Sequence, residues 1–334
     1  VPTLGYPITA AEANVLVDLI NKIFADRYAA SAYPGAPAGY ANAFKYGWGG
    51  PSTYQVAIGD EVLAKDLNEV IHRANIGIDV TNVSNSYLAV RNPQAKVFAS
   101  DFNIVQSMLN NIEANKSTGD DSVYSVTSRA TDTRTSTWTS NIDVVFDLQF
   151  ASYNKARYFF NSDGQARFLL YAANGSTAAY SQWINIYTQL GTVSVTLDNT
   201  TQTGTGGVST SKGFYDLTTD GNWTLLFTSG SGGSGGYGGY GGYGGYGGYG
   251  GYGGYGGYGG YGAYASIRAK LYGRLNTDGS LVQLRVSLEN QALGSTVDGS
   301  HTVEMQQRKL NDQTNSGVTL VIDAPTAAVS DTLE

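Results

Sequence analysis

The apolar residues of this chain change their period once, and that switch limits its fold more than any other feature. From about residue 138 they alternate. In NIDVVFDLQF, Ile142, Val144, Phe146, Leu148 and Phe150 fall on one side of an extended strand. TVSVTL repeats the pattern with Val193, Val195 and Leu197, and NWTLLFT reads as a further strand. ARYFFNSDGQARFLLYA reads as a hairpin turning at Ser162-Asp163-Gly164, and ASIRAKLYGRLNTDGSLVQLRVSLEN as another turning near Asp278-Gly279. GVTLVIDAP reads as a last strand stopped by Pro325, with TAAVSDTLE as a tail that is loose or lies on a neighbour. Many short strands with polar turns point to an antiparallel sandwich or jelly roll.

Before residue 115 the period is helical and the sequence repeats itself. ITAAEANVL (8–16), VLAKDLNEV (62–70) and VFASDFNIV (97–105) share the pattern apolar-x-Ala-x-acid-x-Asn-x-apolar. Each opens an amphipathic stripe: Leu16, Leu19, Ile20 and Ile23; Leu67, Val70, Ile71 and Ala74; Phe102, Val105, Leu109 and Ile112. Glu12, Asp66 and Asp101 then sit in first turns. There a carboxylate caps free N–H groups and suits the helix dipole, and Thr9 with Glu12 forms a capping box. The rival reading of the three acids is a carboxylate cluster. The shared Asn14, Asn68 and Asn103 are suited to bonding a neighbouring backbone or helix.

The expected fold class is therefore α+β. A small N-terminal helical module with three repeated helix starts covers 1–115, a linker or edge 116–137, and an antiparallel β-sandwich or jelly-roll-like domain 138–334. The last carries a Gly-Gly-Tyr insertion at 230–264. In it Tyr237, Tyr240, Tyr243, Tyr246, Tyr249, Tyr252, Tyr255, Tyr258, Tyr261 and Tyr264 keep strict three-residue spacing. Two readings stand. One is a flexible tether, because glycine loses most entropy on ordering. The other is a threefold extended helix of the polyproline II kind, which puts every tyrosine in one row about 9 Å apart and leaves two faces bare. Fixing backbone opposes order by about 1–2 kcal/mol per residue, so the ordered form requires a partner surface. The loop SAYPGAPAGYANAFKYGWGGPSTY adds Tyr46 and Trp48 as contact aromatics; it either docks on a partner or covers its own module.

Reaction chemistry is sparse. The chain has no cysteine and two histidines, His72 and His301, which argues against a zinc site and against any cofactor. There is no phosphate-binding loop and no Gly-x-Ser-x-Gly elbow. GDDS at 119–122 reads as a solvated turn, with a calcium site as its minor rival. Charged residues are 14% of the chain and net charge is −7 with no basic run, against a nucleic-acid partner. No apolar run reaches the roughly 20 residues of a membrane span. The opening at Val1 reads as processed or trimmed, with no signal peptide in view. Sequons at Asn82, Asn115, Asn174, Asn199 and Asn222 are candidate glycan acceptors if the source glycosylates.

ITAAEANVL, GYANAFKYGWGG, FASYNKARYFFNSDGQARFLLYA, GFYDLT and VDGSHTV together resemble virion structural proteins of tailed phages, especially those of cyanobacterial viruses, and YNKARYFFNSDGQARF is the most specific piece. The resemblance spans most of the chain outside the glycines. It implies a non-enzymatic part of a virion or a related self-assembling extracellular fibre, and supplies no catalytic residue. The Gly-Gly-Tyr block departs from that pattern, so a virion part and a free extracellular filament both stay open. The expected partner is the chain itself, as a homo-oligomer or helical polymer, beside other virion or cell-surface components. In that polymer the helical module of one copy docks on the β domain of the next. The alternative is a phage or cell-surface adhesin that binds a host receptor or glycan through the Gly/Tyr loop. A jelly-roll carbohydrate enzyme ranks behind both, since no carboxylate pair stands out.

Overall fold

In the computed structural model the three repeats become helices α1 (Ala10–Phe24), α2 (Ala64–Thr81) and α3 (Ala99–Ala114), each packed on the other two. The structure describes residues 8–25, 47–81, 83, 86–116, 119, 121–229, 267–290 and 295–331. The apolar stripes form the interface: Leu16, Ile20, Ile23, Val70, Ala74, Val105, Leu109 and Ile112 are buried. Gly77 lets α2 approach α3 closely, since a Cβ there would stand 2.9 Å from the Ile112 side chain. The acids act as helix-start groups. Thr9 N–H donates to Glu12 at 2.9 Å, Leu63 N–H to Asp66 at 2.9 Å and Phe98 N–H to Asp101 at 3.1 Å.

The rest is built on antiparallel sheets. The chain runs through β1 (Tyr124–Arg134), β2 (Ile142–Gln149), α4 (Tyr153–Asn161), β3 (Gln165–Ala173), α5 (Ala178–Leu190), β4 (Thr192–Val195), β5 (Thr200–Gln202) and β6 (Gly207–Val208). It continues through β7 (Thr224–Ser229), β8 (Ile267–Leu275), β9 (Leu281–Asn290), β10 (Ser300–Leu310), β11 (Gln313–Asn315), β12 (Val318–Leu320) and β13 (Thr326–Asp331). One sheet has the order β1-β10-β3-β4-β5 and another β13-β2-β9-β8-β7-β6, while β11 and β12 form a small ribbon. The alternating residues Val144, Phe146 and Leu148 of β2 are buried, as are Ala166, Phe168 and Leu170 of β3. Phe146 meets Phe168 between the sheets with ring centroids 5.6 Å apart. The hairpin at Asp278-Gly279 joins β8 to β9 as expected, with Gly279 at φ +74°.

Three expectations are corrected. ARYFFNSDGQARFLLYA is not a hairpin: its first half is α4, because Tyr153, Ala156, Phe159 and Phe160 recur at helical steps and all bury fully. Ser152 caps the helix by accepting from Lys155 N–H, and Ser162-Asp163-Gly164 turns it into β3, with Asp163 at φ +60°. The strand before Pro325 is only the three-residue β12, and the tail beyond it is β13, which pairs with the chain's own β2 from Thr326↔Gln149 onward. The free edge of β2 offers a ladder that a loose tail would forgo. Finally, α5 interrupts the alternating pattern, capped by Thr177 and burying Trp183, Ile186, Tyr187 and Leu190.

The module is joined to the sheets within one chain. Trp48 Nε1 donates to the Asn161 carbonyl at 3.1 Å, and Asn161 Nδ2 donates to the Gly47 carbonyl at 3.0 Å. Tyr215 donates to Asn161 Oδ1 at 2.7 Å, and His72 Nδ1 lies 3.2 Å from Asn315 Oδ1. Within one chain the helical module thus contacts the β domain at these residues.

Candidate functional site

The repeated asparagines do a specific job. Val56 N–H donates to Asn14 Oδ1 at 2.8 Å, and Asn14 Nδ2 donates to the Val56 carbonyl at 2.9 Å. Two helical turns on, Thr53 exchanges the same two bonds with Asn21 at 2.8 and 3.0 Å. The arrangement recurs on α2: Arg91 pairs with Asn68 at 2.9 and 2.8 Å, and Leu88 with Asn75 at 2.8 and 3.1 Å. A carboxamide carries one acceptor and one donor group, so each Asn mimics a single residue of a neighbouring strand. The pair grips backbone, not side chain: Thr53 and Val56 in one case, Leu88 and Arg91 in the other.

The spacing follows from two rises. Seven helical residues advance about 10.5 Å, and three extended residues about 10 Å. Asn residues seven apart therefore match strand residues three apart. The second asparagine of each pair escaped the sequence reading, although it stands at one offset in every repeat: Asn21, Asn75 and Asn110.

The structure places the other candidate residues as follows. Trp48 is a core residue: it is 1% exposed and packs edge-on against Phe24 with centroids 6.3 Å apart. Burying an indole whose N–H is satisfied outweighs presenting it on a loop, so it is not an exposed contact. Tyr46 and Tyr237, Tyr240, Tyr243, Tyr246, Tyr249, Tyr252, Tyr255, Tyr258, Tyr261 and Tyr264 lie outside the described residues, as does Asn82. Asn174, Asn199 and Asn222 are exposed, and Asn115 is the half-buried C-cap of α3. Asn199 and Asn222 already bond Thr196 and Asp220.

His301 stands at the start of β10, fully buried among Trp138, Trp183, Tyr180 and Tyr187 with centroids 5.7–6.5 Å away. Its Nε2 is 3.1 Å from the Asp298 carbonyl, which only accepts, so Nε2 carries the proton and Nδ1 accepts from Tyr187 at 3.0 Å. Burial lowers its pKa. A neutral imidazole with both nitrogens used is a structural brace.

Asp121 of GDDS pairs with buried Arg308 at 2.8 Å, and the same guanidinium bonds Asp163 at 2.8 Å and covers the Tyr124 ring. Burial raises the Asp163 pKa, with Arg308 working against that shift. Among the described residues no group of three or more His, Asp or Glu side chains gathers as metal ligands. A cavity of about 450 Å³ between α2, residues 86–91 and α3 is lined by Leu67, Ile71, Tyr87, Ile104, Val105 and Met108. Its two charged lining residues, Arg91 and Asp101, pair with each other, and the rest of its lining is mostly apolar. No protein-family model, curated protein or solved structure matches this chain.

Proposed function

We propose that the chain is a non-enzymatic structural subunit that self-assembles into an extracellular filament or virion fibre, with the Gly-Gly-Tyr block packing between subunits. Its two sheets are read as a jelly-roll-like scaffold for that block. The observation that carries the reading is where the block is rooted. Ser229 ends β7, Ile267 begins β8, and these strands are paired neighbours; Ala269 N–H donates to Ser229 Oγ at 2.9 Å. At its base Leu226, Phe227, Ile267, Ala269 and Leu271 are all buried. An insertion that leaves and re-enters on two paired strands is suited to contacts outside the subunit, and its lack of charge leaves nothing to hold copies apart.

A second observation agrees with this. β1 is eleven residues long, pairs among the described residues only with β10 and is exposed along most of its length, which is a ready strand edge. The test compares the full chain with one lacking residues 235–262 by electron microscopy and sedimentation. Assembly that depends on the block supports the proposal. Monomers of both at high concentration overturn it, and loss of host attachment with assembly intact favours the adhesin.

A further inference from the structure

The third repeat carries the same asparagine pair, and none of the described residues fills it. Asn103 and Asn110 stand 35 positions after Asn68 and Asn75, seven apart, on α3. Both side chains are exposed, and among the described residues neither makes a hydrogen bond. In the filled pairs Asn21, Asn68 and Asn75 are buried under the segment they hold.

The topology takes away the segment that the repeat spacing would bring to it. By the spacing that takes Asn75 to Leu88 and Asn68 to Arg91, the third pair would hold Val123 and Val126. Those residues are committed elsewhere: Val126 pairs with Arg308 in the β1–β10 ladder, and the Val123 carbonyl accepts from Asn311 N–H at 2.9 Å. The helix keeps its grip while its own segment has been drawn into the sheet.

We infer that Asn103 and Asn110 form a clamp for an extended segment of a second copy, and that the segment is its Gly-Gly-Tyr block. The filled pairs hold residues three apart whose side chains differ widely, so the clamp demands only extended backbone with free N–H and C=O at every third position. The block repeats every three residues and is glycine at two of every three positions. Residues three apart in the block are therefore of one type, so two registers in three put glycine at both grips and the third puts tyrosine there. Many equivalent registers raise the chance of capture by mass action. The inference rests on the block lying between subunits and names the surface that receives it.

The experiment uses sedimentation velocity over a concentration series on the full chain, the exposed double variant Asn103→Ala with Asn110→Ala, the chain lacking residues 235–262, and an equimolar mixture of the last two. A thermal melt within a few degrees of the parent confirms that the double variant folds. Each altered chain alone is expected to lose at least tenfold in association constant. The mixture, in which one partner brings the block and the other the clamp, is expected to form a 1:1 complex. If the double variant associates like the parent while the deletion does not, the clamp inference falls and the block still packs between subunits by other contacts. If the mixture forms no complex, capture by a second copy is excluded. If the deletion also associates normally, both readings fall.

Discussion

The helical module and the sheets hold extended backbone by opposite means. In the sheets, strands such as β8 and β9 pair through a continuous ladder from Ile267↔Asn290 to Leu275↔Val282, and side chains contribute packing. In the module, residues 53–56 and 88–91 run beside helices, which have no spare backbone groups, so four asparagine amides supply the pairing. A ladder tolerates changes of side-chain identity and responds to lost volume. A clamp responds to the loss of one amide.

The largest expected effect lies on the sheet side. Phe160 is fully buried and stacks on Phe214 with centroids 4.5 Å apart, so Phe160→Ala should lose about 3–5 kcal/mol in urea unfolding. Phe160→Leu should lose much less, because volume is what counts there. On the clamp side, Asn75→Ala strips partners from the Leu88 N–H and carbonyl. At the lower part of the roughly 1–3 kcal/mol that each buried polar group left unpaired costs, it should lose about 2–4 kcal/mol. Amide exchange at Leu88 should quicken before the rest of the chain opens. Unchanged exchange there would break the comparison.

Acid separates the two regions more gently. The folded His301 pKa lies below its ordinary 6.5, so the unfolded chain binds the extra proton first. Stability is whole above about 6.5, falls as pH drops below it, and levels off once the folded pKa is passed. His301→Gln should flatten that slope in a melting-temperature profile, and an unchanged slope would remove His301 from the account. The smallest effect is expected at Asn103→Ala, within about 0.5 kcal/mol of the parent by urea unfolding, although the same change at Asn75 is severe. A large loss at Asn103 would show that its amide already has work within the subunit.

Legibility followed the same division. Ile142 to Phe150 could be read because one buried face imposes a strict period of two. The helix starts could be read because capping is local. α4 could not, since the run Ala156 to Phe160 satisfies helical and extended patterns about equally until tertiary burial decides. α5 was hidden by Ser181, Gln182, Asn185 and Gln189, which dilute its stripe. Asn14, Asn68 and Asn103 aligned at sight, but their partners mattered only once a strand lay beside the helix. Trp48 looked like a contact residue because its neighbours are glycines; the carbonyl of Asn161, more than a hundred residues on, is what draws it inward.

Paired strands at the root of the Gly-Gly-Tyr insertion give evolution an adjustable arm. Doubling the length of a closed loop costs only about 0.6 kcal/mol, and each triplet adds up to about 10 Å of span. Slippage during replication would therefore lengthen or shorten the insertion in steps of one triplet while the two sheets beneath stay unaltered.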